Sequence, residues 1–172
     1  MIDSRDNGFY IATDTLVRYV GEAAEVVIPD IVTVIDDYAF DGSYHVTSVT
    51  LPENLKSIGN TAMGGLDIKS LDFPNSLEFM GEYAVYKTSL SSIKIPTGMT
   101  TIEKYTFYSC REVKEIEIHG GVENIKNYAF GMIDDVENIY NYALTPQDIE
   151  RGVFSCYTNA TLHVVKGYKS VY

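Results

Sequence analysis

One unit of 22 or 23 residues recurs along the chain, and this repetition restricts the possible folds more than any other feature. The anchor positions of five successive units, spaced 23, 22, 22 and 23 residues apart, are Pro29, Pro52, Pro74, Pro96 and His119. Apolar residues recur three and one positions before each anchor and three and six positions after it. The column directly before the anchor comprises Ile28, Leu51, Phe73, Ile95 and Ile118. Apolar columns in register over five units indicate a solenoid, in which each coil buries its apolar side chains against its neighbours.

Each unit divides into a strand and a return. Before Pro96, the segment Ile93-Lys94-Ile95 alternates apolar and polar residues with the period of a β-strand, and the proline would end the ladder. From Met99 to Phe107, apolar residues lie three or four apart over a stretch too short for a long helix. This spacing favours a return built from short extended and 3₁₀ pieces. The predicted fold class is therefore a mainly β solenoid.

The residues outside the regular units predict how the stack begins and ends. Two β-prone runs in residues 9–20, around Thr13-Asp14-Thr15, predict a hairpin that caps the exposed first coil. A sixth unit keeps Ile139 in the strand column, but a one-residue insertion is expected at Leu144-Thr145-Pro146. The closing strand is predicted at Leu162-His163-Val164. We expect a single domain over residues 1–172, with about six repeats in 23–158 and a closing strand and cap in 159–172.

Composition argues against several function classes. The chain has 24 acidic and 13 basic residues, a net charge of −11, and no stripe of Lys or Arg. Binding to nucleic acid or to an anionic lipid surface is therefore not expected. The sequence contains no run of eighteen or more apolar residues, which a membrane-spanning helix would need. Its first ten residues lack the apolar core of a secretory signal. Cys110 and Cys156 fall two coils apart, about 10 Å, which is too far for a disulfide, so both are interpreted as buried apolar fillers.

The repeated columns follow the pattern L-x-x-I-x-I-P-x-x-V-x-x-I-x-x-x-A-F-x-x-C, which residues 90–110 match best, with Thr106 replacing the alanine. This pattern resembles the BspA-like leucine-rich repeat family of bacterial, often surface-attached, proteins, and the likeness runs from about Phe9 to Tyr172. His119 in place of proline and Val85 in place of phenylalanine are departures that affect local turns and packing.

This resemblance implies a curved leucine-rich repeat solenoid with a parallel sheet on its concave face and short returns on its convex side. It also implies secretion or display at the cell surface, and binding of a host or neighbouring-cell protein. The family has no shared catalytic residues to assign to this chain.

Strand alternation predicts which polar side chains point away from the core. Residues two and four positions before the anchor face the solvent side of the sheet. The expected contacts for a protein partner are Asp72, Lys94, Glu115, Glu117, His119, Tyr140 and His163. The alternative is an ordinary solvated face of a half-buried sheet.

A metal site on this face is not expected. Glu115, Glu117 and His119 alternate along one predicted strand and would point the same way. However, such side chains start nearly 7 Å apart, whereas bonds to a metal are about 2.0–2.6 Å long.

A column of tyrosines, nine positions after the anchor, comprises Tyr38, Tyr83, Tyr105 and Tyr128 and is interrupted only by Thr61. These rings could grip a sugar or peptide, but packing edge-on against one another with the hydroxyls outward is the favoured interpretation.

Catalysis finds no support in the sequence. The three histidines, His45, His119 and His163, lie in different coils, and no glycine-rich phosphate loop follows a strand. We therefore predict a non-catalytic protein-binding or adhesion module without a cofactor. The alternatives are a structural spacer without its own ligand and a carbohydrate-binding module.

Overall fold

The computed structural model describes residues 2–4, 7–154 and 160–165. The described residues form fifteen strands, which in chain order are β1 (Ile2–Ser4), β2 (Phe9–Ala12), β3 (Thr15–Tyr19), β4 (Glu25–Val27), β5 (Val34–Ile35), β6 (Ser48–Thr50), β7 (Ser57–Ile58), β8 (Phe79–Met80), β9 (Ser92–Lys94), β10 (Thr101–Ile102), β11 (Glu115–Ile118), β12 (Asn124–Ile125), β13 (Asn138–Asn141), β14 (Asp148–Ile149) and β15 (Thr161–Val164). Within this described part, no helix is long and apolar enough to cross a membrane.

Two ladders of parallel strands run along the stack. The first ladder contains β4–β6 and β9–β11–β13–β15, and the second contains β3–β5–β7–β8 and β10–β12–β14. In the first ladder, Ile93 pairs with Ile116, and Ile116 with Ile139, as the apolar columns predict. The predicted solenoid of about six stacked turns is thus confirmed.

The third coil departs from this pattern. Residues 70–72 occupy the predicted strand position but form no strand, so the first ladder is interrupted between β6 and β9. Every paired step of the first ladder joins residues 23 apart, whereas the steps into and out of residues 70–72 are 22 residues long. Phe73 is only partly buried here, and its ring lies edge-on to Phe107 at 6.2 Å.

The returns consist of the second ladder and a series of turns. Within residues 8–154 they contain no 3₁₀ helix, so this part of the expectation is wrong, whereas the expected short extended pieces are present. A 3₁₀ helix needs negative φ at every residue, whereas each of these turns contains a residue with positive φ. The turns therefore cannot form a 3₁₀ helix. These residues, with φ between 54° and 58°, are Tyr38, Thr61, Tyr83, Tyr105 and Tyr128.

The core lies between the two ladders and is filled by the repeated columns. Of the residues directly before the anchors, Ile28, Leu51, Ile95 and Ile118 are buried. Phe107, Phe130 and Phe154 stack face to face in successive coils, with ring centroids 5.4 and 5.5 Å apart. Cys110 is buried, as predicted. Cys156 lies outside the described residues.

Thr106 is fully buried in the position that alanine holds in other coils. Its hydroxyl donates to the carbonyl oxygen of Glu103 at 2.9 Å and lies 3.3 Å from that of Gly81. The hydroxyl therefore has hydrogen-bond partners in the backbone, so threonine in place of alanine costs the core little stability.

Both ends of the described stack agree with the expectations. β2 and β3 form an antiparallel hairpin in residues 9–19, and β3 pairs with β5, so the hairpin covers the first coil of the second ladder. At the other end, β14 pairs with β12 at a spacing of 24 residues instead of 23, as the predicted insertion requires. The closing strand is β15. Residues 166–172, the proposed terminal cap, lie outside the described part.

Candidate binding face

The solvent side of the first ladder, called the front face here, presents two polar columns between the buried apolar ones. Lys94, Glu117, Tyr140 and His163 occupy one column of paired positions on β9, β11, β13 and β15. Ser92, Glu115, Asn138 and Thr161 occupy the parallel column. Because each strand is hydrogen-bonded to the next, both columns are held in register over four successive coils.

Contacts between coils organise the first of these columns. Lys94 Nζ lies 3.2 Å from Glu117 Oε1, with the two side chains 75% and 32% exposed. An ion pair this exposed contributes at most about 1 kcal/mol, so it orients the two side chains more than it stabilises the fold. The rings of Tyr140 and His163 stack with centroids 4.5 Å apart and an interplanar angle of 14°. His163 Nε2 also lies within hydrogen-bonding distance of Asn138 Oδ1, at 2.9 Å.

Glu115 differs from its neighbours on the front face. Its side chain is exposed, and among the described residues it has neither an ion pair nor a side-chain hydrogen bond. Within the described part of the chain, the Glu115 carboxylate is therefore unpaired, close to the Lys94–Glu117 pair.

Asp72 lies apart from the paired columns because residues 70–72 are not in a strand. It lines a crevice of about 160 Å³ together with Phe73, Lys94 and Pro96. The structure therefore brings Asp72 near Lys94 but does not place it in the same ladder.

His119 does not continue the row of Glu115 and Glu117. β11 ends at Ile118, and in the following turn His119 Nδ1 accepts a hydrogen bond from the Gly121 N–H at 3.1 Å. Its Nε2 is buried without a hydrogen-bond partner among the described residues. His119 therefore lies in the turn after β11 and is not held by the strand pairing that fixes Glu115 and Glu117.

The described residues contain no group of three or more His, Cys, Asp or Glu side chains placed to hold a metal ion. Glu115 is exposed and Glu117 is partly exposed, so the carboxylates of both residues are in contact with solvent.

The tyrosine column packs differently from the expectation. Tyr83 and Tyr105 stack face to face with centroids 4.6 Å apart, and Tyr105 and Tyr128 do so at 5.5 Å. The edge-on contacts instead come from Tyr86 and Tyr108, each 5.5 Å from the tyrosine three residues earlier in its coil. Equal backbone conformations one coil apart place equal rings above one another, which is why the stack is parallel. Tyr86 and Tyr108 form their own column twelve positions after the anchor, and this column is visible in the sequence.

Burial and the surrounding side chains raise the pKa of the Tyr83 phenol. Desolvation is the largest cause, followed by Tyr105, Tyr108 and the carboxylate of Glu82. The raised pKa strengthens the preference of the Tyr83 phenol for its neutral form.

Comparison with known proteins identifies related sequences and folds. The family model described as "BspA type Leucine rich repeat region (6 copies)" matches residues 18–137. No curated protein matches the chain at a significant level.

Two solved structures have a similar fold. A leucine-rich repeat protein from Bacteroides ovatus ATCC 8483 is 16% identical, with a TM-score of 0.53, over 88% of this chain and 64% of that one. A leucine-rich repeat protein from Eubacterium ventriosum ATCC 27560 is 20% identical, with a TM-score of 0.55, over 81% of this chain and 40% of that one. The chain thus spans less than two thirds of the length of either structure.

Proposed function

The chain belongs to the BspA-type leucine-rich repeat family, a family of bacterial surface proteins, and from that premise we propose that it is a non-catalytic protein-binding module. The partner docks on the front face, and the module acts at the cell surface or outside the cell. Binding of a host or neighbouring-cell protein would make it an adhesion module.

The observation that carries this proposal is the paired register of β9, β11, β13 and β15. It fixes a row of outward side chains across four coils. This row includes the carboxylate of Glu115, which has no ion pair among the described residues, and the stacked rings of Tyr140 and His163. Aromatic side chains supply contact area at low entropic cost, and charged groups around them orient a partner. A partner with a basic surface fits best, since the chain carries a net charge of −11.

The spacer remains the second candidate, because nearest-neighbour stacking would support an array of coils without any ligand. A carbohydrate-binding role through Tyr105 is weaker, since this residue has a tyrosine ring against each of its faces. Sugar recognition by stacking needs a free ring face.

Binding to a panel of purified extracellular-matrix and bacterial cell-surface proteins, measured by surface plasmon resonance, tests the proposal. We expect Glu115→Gln/Glu117→Gln to weaken binding of a retained panel member at least tenfold. The matched control is Glu112→Gln/Glu123→Gln, which removes two exposed carboxylates of the same coil outside the front face. It should change affinity less than twofold. Equal loss in both variants, or no panel member retained by the wild type, would favour a spacer and contradict the proposal.

A further inference from the structure

The tyrosine column has one missing ring, at Thr61. The backbone there is regular, with φ of 54° against 57° at Tyr38 and 58° at Tyr83. The hydrogen bonds between coils also continue, from Tyr38 N–H to Asn60 O at 3.0 Å and from Thr61 N–H to Glu82 O at 2.9 Å. Only the aromatic side chain is absent, so the column contains a gap one ring deep.

A cleft of about 650 Å³ opens at this gap. Its walls include Tyr38 on one side and Tyr83 on the other, with Thr61 between them and Phe79 beside them. Tyr38 and Phe79 are 56% and 45% exposed, so both side chains are accessible to a ligand that enters the cleft. The cleft contains none of the front-face residues.

The width of the gap fits one planar group. Two coil spacings separate Tyr38 from Tyr83, which is about 9.5 Å, so a planar group midway would lie about 4.7 Å from each ring. Tyr83 and Tyr105 already stack at 4.6 Å. A guest with the thickness of a ring would therefore complete the column.

The charge around the cleft selects the kind of planar group. Asp37, Glu82 and Glu103 line it, and no basic residue does so among the described residues. The Asp37 carboxylate is occupied, since it accepts hydrogen bonds from the Asn60 backbone N–H at 2.6 Å and from its Nδ2 at 3.1 Å. The side-chain carboxylates of Glu82 and Glu103 have no hydrogen bond or ion pair within the described part of the chain.

A planar cation meets both requirements. The guanidinium group of arginine stacks on aromatic faces and binds carboxylates through several N–H groups, whereas the compact ammonium of lysine cannot fill a flat gap between two rings. We propose that this cleft is a receptor for an arginine side chain of a protein partner, inserted between Tyr38 and Tyr83 and held by Glu82 and Glu103. The site is independent of the front face and adds a specificity that the front face does not provide.

The test uses three blocked tripeptides, acetyl-Gly-Xaa-Gly-amide, in which Xaa is arginine, lysine or citrulline. Citrulline keeps the planar shape of arginine without its charge, and lysine keeps the charge without the plane. Titrations are followed by two-dimensional NMR of the ¹⁵N-labelled full chain. We expect saturable shifts at Thr61, Phe79 and Tyr83, with arginine binding at least fivefold more tightly than either of the others.

Variants of the gap separate the receptor from nonspecific attraction. Thr61→Tyr supplies the missing ring, and we expect it to abolish arginine binding without lowering the melting temperature, because tyrosine already occupies this backbone conformation in four other coils. Thr61→Ser keeps the gap open and should bind as the wild type does. Glu82→Gln/Glu103→Gln should weaken binding at least fivefold.

Two results would overturn the proposal. One is equal binding of the lysine and arginine peptides with no loss in Thr61→Tyr, which would mean attraction to negative charge alone. The other is the absence of saturable shifts at the cleft. The front-face variant Glu115→Gln/Glu117→Gln should bind the arginine peptide normally, so failure of this proposal is distinguishable from failure of the proposed function.

Discussion

At the scale of single residues, the thiol of Cys110 links burial to pH-dependent stability. Its sulfur is fully buried, 3.2 Å from Thr88 Oγ1 and 3.2 Å from the carbonyl oxygen of Val85. Burial raises the pKa of this thiol from 9.0 to about 11, although the hydrogen bond with Thr88 acts in the opposite direction. The folded protein therefore keeps the thiol neutral at a pH where the unfolded chain would ionise it.

The sign of the resulting pH dependence follows from this shift. Below pH 9, the thiol is neutral in both the folded and the unfolded protein, and its contribution to stability is fully present. This contribution is lost as the pH rises from 9 through 11, because the thiol then ionises first in the unfolded chain. We expect the free energy of unfolding of the wild type to fall by roughly 2 kcal/mol more than that of Cys110→Ala between pH 8.5 and 11. Urea unfolding at several pH values measures this difference. Parallel curves for the two proteins would contradict the prediction.

At the scale of elements, the tyrosine column joins neighbouring coils outside the core. Tyr105 contacts one parallel ring on each side, and its ring is nearly perpendicular to that of Tyr108. We expect Tyr105→Ala to lower the free energy of unfolding by about 1–3 kcal/mol, because each of the two parallel pairs contributes about 0.5–1.5 kcal/mol. Tyr105→Phe keeps the ring and should cost less than about 0.5 kcal/mol. Thermal or urea unfolding of both variants checks this, and equal losses would show that the ring contacts do not matter.

The elements also show where sequence reasoning succeeds and where it stops. Alternation followed by proline located strands such as Ser92–Lys94, because both the period and the missing N–H of Pro96 are local properties. The segment Leu71-Asp72-Phe73 has the same alternation, yet it forms no strand, because a ladder also requires both neighbouring coils to be in hydrogen-bonding register.

The candidate front face was predictable to a similar degree. The pairing of Lys94, Glu117, Tyr140 and His163 follows from the repeat length alone. The turn conformation of His119 does not, since it depends on a hydrogen bond from Gly121 N–H that no pattern of residue types encodes. The parallel tyrosine stack likewise depends on positive φ values at residues other than glycine, which sequence gives little reason to expect.

At the scale of the whole molecule, the solenoid predicts that stability is shared mainly between adjacent coils. Phe107 and Phe130 are buried in adjacent coils with rings 5.4 Å apart, whereas Phe40 lies four coil positions before Phe130. If stability is shared between adjacent coils, the coupling energy between Phe107 and Phe130 should be measurable. The coupling energy between Phe40 and Phe130 should be close to zero.

Double-mutant cycles with Phe→Leu substitutions measure this coupling, and each substitution keeps an apolar side chain in the core. For Phe107→Leu with Phe130→Leu, we expect a coupling energy of about 0.5–1.5 kcal/mol, because each single change already breaks the stacked pair. For Phe40→Leu with Phe130→Leu, the effects should add to within about 0.5 kcal/mol. The free energies come from urea unfolding of the four proteins in each cycle. A coupling of equal size in both cycles would mean that the coils respond as one globular core, and the nearest-neighbour description of this stack would have to be abandoned.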